Sequence, residues 1–389
     1  MIFNRVNFYI VAWSIYNLQG GFFPMGMFFA KVICLILLLI SFYHFIIVNF
    51  EFKLPKYFYG LNVLIGLFSV YGLFALLGLT DNPLPGEFLK NILISLLPIY
   101  SFFYFSKKGI LSEEHLPVCI IILLAFAVLN YCGKMYSTAR LFDVRDYGMT
   151  NNAGYLFIPL IAGSAFLYKQ KFLQYFIISA CLLFSIHSTK RGAILICFVC
   201  LIWFLLNDLR GKRMNVKLGI FLFFILLVFG GYIFFEKNMS ESYYFQKKMT
   251  ELNRGESSGR DNLYYTFSNY YLTEATPIQF VFGSGANATL NVSTNYAHND
   301  WLEIAINHGI FGLLVYMFYW TLFGRECFSR EYDSKVKLAL QIVFIDYFMR
   351  TLFSMSYGAM TTSATLVLGY CLAQGEKNEE NIQIVQTLQ

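Results

Sequence analysis

Long apolar runs, separated by short segments rich in charged and turn residues, make up most of the chain. A helix needs about 20 consecutive apolar residues to cross the hydrocarbon core of a bilayer. The pattern predicts an all-α, polytopic membrane helix bundle, whose first run is the weakest prediction because Gln19, Gly20 and Gly21 shorten it. About twelve transmembrane runs are predicted, at 6–22, 26–49, 57–79, 87–106, 115–133, 152–168, 171–187, 190–207, 215–235, 299–323, 336–353 and 357–374.

The composition also indicates a membrane protein. Of the 389 residues, 57% are hydrophobic and 13% are charged, whereas about 25% of the residues in a typical soluble domain are charged. The net charge of +6 is modest, and its distribution gives no indication of a nucleic-acid partner. Residues 1–20 lack a clear small-residue cleavage site, so we interpret the first run as a retained span rather than a signal peptide.

Lysine and arginine are concentrated on one predicted side of the membrane. With the N-terminus inside, the cytoplasmic side receives sixteen of them, and the outer loops and outer span ends receive seven. Because positive charge marks cytoplasmic loops, both chain ends are predicted to be cytoplasmic. The chain then divides into nine spans over 1–235, one long periplasmic loop over 236–297, three spans over 298–374, and a cytoplasmic tail over 375–389.

The long loop between the ninth and tenth spans carries a turn-rich stretch, NRGESSGRDN, and a predicted amphipathic helix. We expect that helix to run from Asp261 to about Glu274, with Ser257 or Ser258 as its cap and Pro277 ending it. The loop contains five basic and six acidic residues. It is therefore nearly neutral, which argues against a general polyanion-binding surface.

Three polar clusters converge on the outer face in this topology. Lys190 and Arg191 begin the eighth span within HSTKRGAILI, Arg260 lies in the long loop, and His298 begins the tenth span within STNYAHNDWLEIAINHGIFG. Each has a simple structural interpretation: headgroup anchors for the first pair, a solvated charge for Arg260, and an interfacial side chain or cap for His298. Cations at a helix N-terminus oppose the macrodipole, however, and a bound anion would offset that repulsion.

Together, the three clusters predict transfer chemistry on a phosphate-activated donor. Arginine pairs hold phosphate or pyrophosphate through forked hydrogen bonds, and histidine is the side chain best suited to take up a proton near neutral pH. In such a site the cations stabilise the departing phosphate and the histidine activates an incoming hydroxyl. Asp300 and Glu303 fit the first turn of a helix, where acidic residues are favoured, and we predict no metal site there.

These residues resemble the O-antigen ligase and O-antigen polymerase (Wzy-type) superfamily of bacterial envelope polysaccharide assembly. The most specific match is His298-Asn299 followed by Gly309 and Gly312, with WLE at 301–303. STKRGA resembles the family's start of a span, with Lys190 in the place of the usual serine and the arginine retained. SGR before an aromatic-rich helix and FGSG also matches, and YGMTNNAGYLF at 147–157 matches more weakly, since it lacks the family's proline.

The resemblance implies a membrane-embedded, inverting glycosyltransferase of the bacterial inner membrane, with its active site facing the periplasm or the cell exterior. Its donor would be a glycan on undecaprenyl pyrophosphate, and no nucleotide sugar, cofactor or metal would be required. Arg191 and Arg260 would hold the pyrophosphate, and His298 would act as the base or position the acceptor hydroxyl. Substrate-binding residues would be Lys190, Asn299, Gly283, Gly285 and Arg350, the last of which has a headgroup anchor as its simpler interpretation.

Two activities within the superfamily remain open. A polymerase extends O-antigen or capsule on another lipid-linked repeat unit, with a chain-length regulator as a further partner, whereas a ligase transfers the glycan to lipid A–core. Lipid A–core is heavily phosphorylated, so the nearly neutral loop favours the polymerase. A transporter or flippase of lipid-linked sugars would need charged residues near the midplane, where His44 and Asp346 form no evident pair.

Overall fold

The computed structural model describes residues 5–80, 82, 84–141, 152–210, 212–239, 250 and 260–387, and this part of the chain is helical and contains no β-strand. Short 3₁₀ turns flank α7 at Asn152–Leu156 and Ala165–Leu167, and a π-helical turn covers Tyr270–Glu274. The α-helices are α1 Arg5–Asn17, α2 Phe28–Glu51, α3 Lys56–Leu76, α4 Pro85–Leu96, α5 Pro98–Lys107, α6 Leu116–Leu141, α7 Ile158–Ser164, α8 Lys171–His187, α9 Arg191–Asp208, α10 Met214–Met239, α11 Arg260–Asn269, α12 Pro277–Phe282, α13 Thr289–Val292, α14 Asp300–Cys327, α15 Ser334–Phe353 and α16 Thr362–Thr387.

Helices occupy all twelve of the predicted runs. Among the described residues, six helical segments are long and apolar enough to cross a membrane: α2, α3, the combined α4–α5 segment, α6, α9 and α14. Three more apolar segments, α7 with its flanking turns, α8 and the first part of α10, are shorter. The described part of the protein is thus all-helical, and its long apolar helices are those of a multi-pass membrane protein. The full set of twelve crossings remains a prediction.

Prolines set several boundaries that the apolar pattern alone did not reveal. The predicted fourth span is divided into α4 and α5 at Pro98, because proline has no N–H to donate and its ring clashes with the preceding turn. The amphipathic helix has nearly the predicted bounds: α11 and its π-helical turn run from Arg260 to Glu274, three residues before Pro277, which also opens α12. Thr276 and Gln279 form a capping box there, and proline is favoured in a first helical turn. The predicted caps Ser257 and Ser258 lie outside the described residues.

The helix that begins at the candidate site packs deep in the bundle. Helix α14 lies against α3, α12 and α15, while α5 packs against α16. Aromatic rings fill the α3–α14 contact: the Tyr57 ring lies 4.8 Å from Phe323 and 5.6 Å from Tyr319, centroid to centroid. Such edge and tilted ring contacts stabilise beyond the area they bury. The N-terminus of α14 is therefore presented from a well-packed helix.

Candidate functional site

His298 is the last residue before α14 and has an unusual backbone conformation. Its φ is +53°, in the left-handed region that non-glycine residues occupy infrequently, although histidine is among the more tolerant. The next residue, Asn299, is the N-cap of α14, and its Oδ1 accepts hydrogen bonds from Trp301 N at 3.0 Å and Leu302 N at 3.2 Å. The turn at His298 and the cap at Asn299 together determine the direction in which the half-buried imidazole leaves the helix end.

Glu303 holds the chain on the other side of His298. Its carboxylate is fully buried and accepts hydrogen bonds from Ala297 N and from the Thr289 hydroxyl, the latter at 2.7 Å. Sequence reasoning interpreted this acid as a first-turn residue that complements the helix dipole. The structure shows more, since the side chain binds the backbone directly before His298 and so fixes that turn.

Asp300 connects the N-terminus of α14 to the segment between α15 and α16. Its buried carboxylate accepts hydrogen bonds from Tyr316 OH at 2.7 Å, from Ser356 N at 2.9 Å and from the Ser356 hydroxyl. Ser356 lies in the segment between α15 and α16, so the α14 N-terminus is tied to residues 56 positions away. Sequence reasoning missed this role, because a first-turn acid carries no signal of its distant partner.

The side chains of Lys190 and Arg260 bring positive charge to His298. Burial lowers the pKa of His298 below its ordinary value of 6.5, and the charges of Arg260 and then Lys190 lower it further. The pKa of Lys190 is in turn lowered by burial and by Arg260. The three predicted clusters therefore contribute one side chain each to a common electrostatic environment, in which the imidazole is neutral at pH 7.

Arg191 has a different position from its neighbour. Lys190 is the half-buried N-cap of α9, whereas Arg191 is the first residue of that helix and is exposed. Thr189, directly before them, has a φ of +55°, so the turn that leads into α9 is left-handed like the one that leads into α14. The charge of Lys190 acts on His298, and the predicted catalytic role of Arg191 remains a prediction.

Arg350 is not a headgroup anchor. Its side chain is buried, and its Nε and Nη2 each lie 2.7 Å from a carboxylate oxygen of Asp346. Nη2 also donates to Tyr155 O at 2.8 Å, and the guanidinium lies over the rings of Tyr155 and Tyr347. The charge of Arg260 acts on Tyr155 as well. Arg350 is thus bound to Asp346 and Tyr155 inside the protein, and its predicted contact with substrate remains a prediction.

We expect Arg350→Met to destabilise the protein by about 3–5 kcal/mol, because it leaves the Asp346 charge buried without its partner. The double variant Asp346→Leu/Arg350→Met should recover most of that loss, since an apolar pair removes both charges. Thermal unfolding in detergent, followed by tryptophan fluorescence, measures both. Equal melting temperatures for the single variant and the wild type would contradict this assignment.

Gly283 and Gly285 pack against a break in α14. At Gly309 the helix has φ +65° and ψ −165°, which frees the carbonyls of the preceding turn. Ser284 N donates to Ile306 O at 2.8 Å and Gly285 N donates to Asn307 O at 3.0 Å. The FGSG turn therefore caps the first segment of the broken helix. This is a structural reason for both glycines, and their predicted substrate-binding role remains a prediction.

The fold and the site define a multi-pass membrane protein in which loop and helix termini gather two cations around a neutral histidine. Residues 175–317, just over a third of the chain, match the protein family described as O-Antigen ligase. The match includes Lys190, Arg191, Arg260 and His298, and it confirms the resemblance to the O-antigen ligase and O-antigen polymerase superfamily. No curated protein matches the chain. The family implies a membrane-embedded, glycosyltransferase-like enzyme of O-antigen assembly.

Proposed function

We propose that the protein transfers a glycan from undecaprenyl pyrophosphate to a sugar hydroxyl at the site around His298. One observation carries this proposal: Lys190 and Arg260, from distant parts of the chain, both place their charges on His298. All three residues lie within the segment that matches the O-antigen ligase family. A cationic environment beside a neutral imidazole suits a pyrophosphate leaving group and a hydroxyl acceptor.

The reaction is a single displacement at the anomeric carbon. The acceptor oxygen forms a bond to that carbon while the bond from carbon to the pyrophosphate oxygen breaks, and the electron pair leaves with the pyrophosphate. His298 takes the acceptor proton on a ring nitrogen or orients the hydroxyl for attack. Lys190, Arg191 and Arg260 offset the charge that develops on the leaving group. Attack from the face opposite the leaving group inverts the anomeric configuration.

A lipid-linked donor also agrees with the position of the site in the bundle. Helices α9 and α14 both begin at this end, and both are long and apolar enough to span a bilayer. An undecaprenyl chain can therefore remain in the lipid while its pyrophosphate reaches the basic side chains. By the predicted topology this end faces the periplasm or the cell exterior, across the bacterial inner membrane.

The acceptor decides between polymerase and ligase. The nearly neutral loop over 236–297 favours a lipid-linked repeat unit as the acceptor, whereas the description of the matched family, O-Antigen ligase, favours lipid A–core. Purified protein should be incubated with the undecaprenyl-pyrophosphate-linked repeat unit alone and the products separated by gel electrophoresis. A ladder identifies a polymerase, with or without a chain-length regulator. Transfer only after lipid A–core is added identifies a ligase, and no product with either acceptor rejects the proposed function.

The pH dependence of transfer should report the cations around His298. If the neutral imidazole is the active form, kcat/KM rises with pH through the lowered pKa of His298 and then levels off. Lys190→Met removes one of the charges that lower this pKa, so the rising limb should move to higher pH. Lys169→Met, at the predicted cytoplasmic side, is the control and should leave the limb in place. An unchanged limb in Lys190→Met would disprove electrostatic coupling between the two side chains.

A further inference from the structure

A cavity with both polar and apolar lining residues lies at the same end of the bundle as His298. Its volume is about 300 Å³, which is at the lower end of the range for small-molecule sites. Residues of α1, α4 and α6 form its walls, together with residues 358–363, which lead into α16. The reaction described above uses none of these residues.

Hydrogen-bonding side chains from separate helices face this cavity. Asn17 at the end of α1, Asn91 on α4 and Asn130 on α6 all line it, as do Lys134 and Ser363. Apolar side chains line the remainder. A mainly apolar surface with a few convergent polar groups is the usual lining of a site for an organic ligand. An alkyl chain in this space would offer no hydrogen-bond donor to Asn130 Oδ1.

Asn130 points to the chemistry of the occupant. Its relative exposure is 6%, and its Nδ2 donates to Asn17 O at 2.6 Å. Its Oδ1 is buried and has no hydrogen-bond partner among the residues that the structure describes. Buried polar atoms are nearly always hydrogen-bonded, so this acceptor requires a donor from outside the described chain. A sugar hydroxyl is such a donor.

Two structural links join the cavity to the histidine site. Leu156 lines the cavity and directly follows Tyr155, on which the charges of Arg260 and Arg350 act. The segment that lines the cavity at Gly358–Ser363 continues from Ser356, which binds the Asp300 carboxylate two residues after His298. Both links connect the walls of the cavity to residues around the proposed reacting groups.

We infer that this cavity is a glycan subsite that binds one sugar residue through its hydroxyl groups, with Asn130 Oδ1 as a hydrogen-bond acceptor. The inference rests on the proposed function, since the sugar belongs either to the lipid-linked donor or to the acceptor. Both sources present the same chemistry, a ring with several hydroxyl donors. Specificity for the repeat unit would then be determined partly by α1, α4 and α6, away from the pyrophosphate.

The test uses the full-length protein in detergent and the repeat-unit oligosaccharide freed of its lipid. Binding is measured by isothermal titration calorimetry for the wild type, Asn130→Leu and Asn49→Leu. Asn49 is a membrane-helix asparagine that does not line the cavity; its Oδ1 accepts from Asn62 Nδ2. We expect Asn130→Leu to weaken binding about ten-fold, because one hydrogen bond to a buried acceptor is lost, and Asn49→Leu to bind like the wild type. Equal affinities for wild type and a folded Asn130→Leu would overturn the inference.

A second variant tests the inference in case Asn130→Leu does not fold. Asn91 is exposed on α4, so Asn91→Ala is expected to fold normally and still weaken binding. If neither folded variant changes the affinity, the cavity is not a glycan subsite. Absence of oligosaccharide binding by the wild-type protein would also overturn the inference.

Steady-state kinetics distinguish the two sources of the sugar. With the acceptor that the wild type uses, either repeat-unit glycoside or lipid A–core, the donor and acceptor concentrations are varied in turn. A rise of about ten-fold in the KM for the donor, with kcat unchanged, assigns the subsite to the donor glycan, and the same rise for the acceptor assigns it to the acceptor. If the wild type makes no product, the proposed function is wrong. The calorimetric binding measurement then still tests whether the cavity binds the oligosaccharide. If the wild type is active and Asn130→Leu has normal KM values, the subsite alone fails.

Discussion

Substitution of His298 by alanine is expected to reduce the rate of glycan transfer by roughly 10²- to 10⁴-fold, the range that a positioned general base contributes. The environment of the imidazole suits this role, since burial and the charges of Arg260 and Lys190 lower the pKa of His298 and keep the ring neutral at pH 7. The turn that carries it is held by Asn299 on one side and Glu303 on the other. Transfer is measured with purified protein, lipid-linked donor and acceptor, at several pH values.

His298→Gln separates the two roles assigned to this side chain. Glutamine can donate or accept a hydrogen bond to orient the acceptor hydroxyl, but it does not take up a proton near neutral pH. If His298 is the base, the glutamine variant should be as slow as the alanine variant; if it only positions the acceptor, much of the activity should return. His115→Ala is the matched control, since His115 bonds locally to Ser112 and is predicted to be on the cytoplasmic side. Full activity in His298→Ala would remove His298 from the mechanism.

Gly309→Ala is expected to give a large loss of stability, roughly 2–5 kcal/mol, from a left-handed backbone and an overpacked contact. The φ of Gly309 is +65°, and an added Cβ would lie within 3.0 Å of Val281 O and Gly283 N. Gly283, on the facing turn, has φ +79° and equally little space beside Asn307. Relief of either contact must separate α12 from α14. The loss should appear as a lower melting temperature or as aggregation on size-exclusion chromatography.

Gly219→Ala provides the control for this prediction. Gly219 lies within α10, and an added Cβ there would meet no atom within 4 Å. Because alanine favours a helix over glycine by about 1 kcal/mol, this variant should be as stable as the wild type or more so. A melting temperature of Gly309→Ala equal to that of Gly219→Ala would show that the break in α14 does not depend on glycine.

The helices were largely predictable from sequence. Each apolar run is encoded by neighbouring residues, so length and composition identify it without knowledge of the rest of the chain. Arg260 and His298 were likewise identified from local motifs. Interruptions such as the one at Pro98 were missed because the apolar run continues through the proline, although the residue itself carries the signal.

Which polar groups meet was decided by the tertiary structure. That the charge of Lys190 acts on His298 depends on how the turn before α9 packs, which the sequence of that turn does not show. Arg350 was interpreted as an anchor or a substrate ligand, and only the packed helices show that it pairs with Asp346 beneath Tyr155.

The sequence by itself determined the helical, apolar character of this protein and predicted a basic, histidine-containing site at one end, because apolar length and short motifs are local properties. The tertiary structure alone decided that Asp300 binds Ser356, that the FGSG turn caps the broken α14, and that Asn17, Asn91 and Asn130 face one cavity. These contacts join residues from separate helices. Their partners are determined by the packing of the whole bundle, and no short stretch of sequence carries that information.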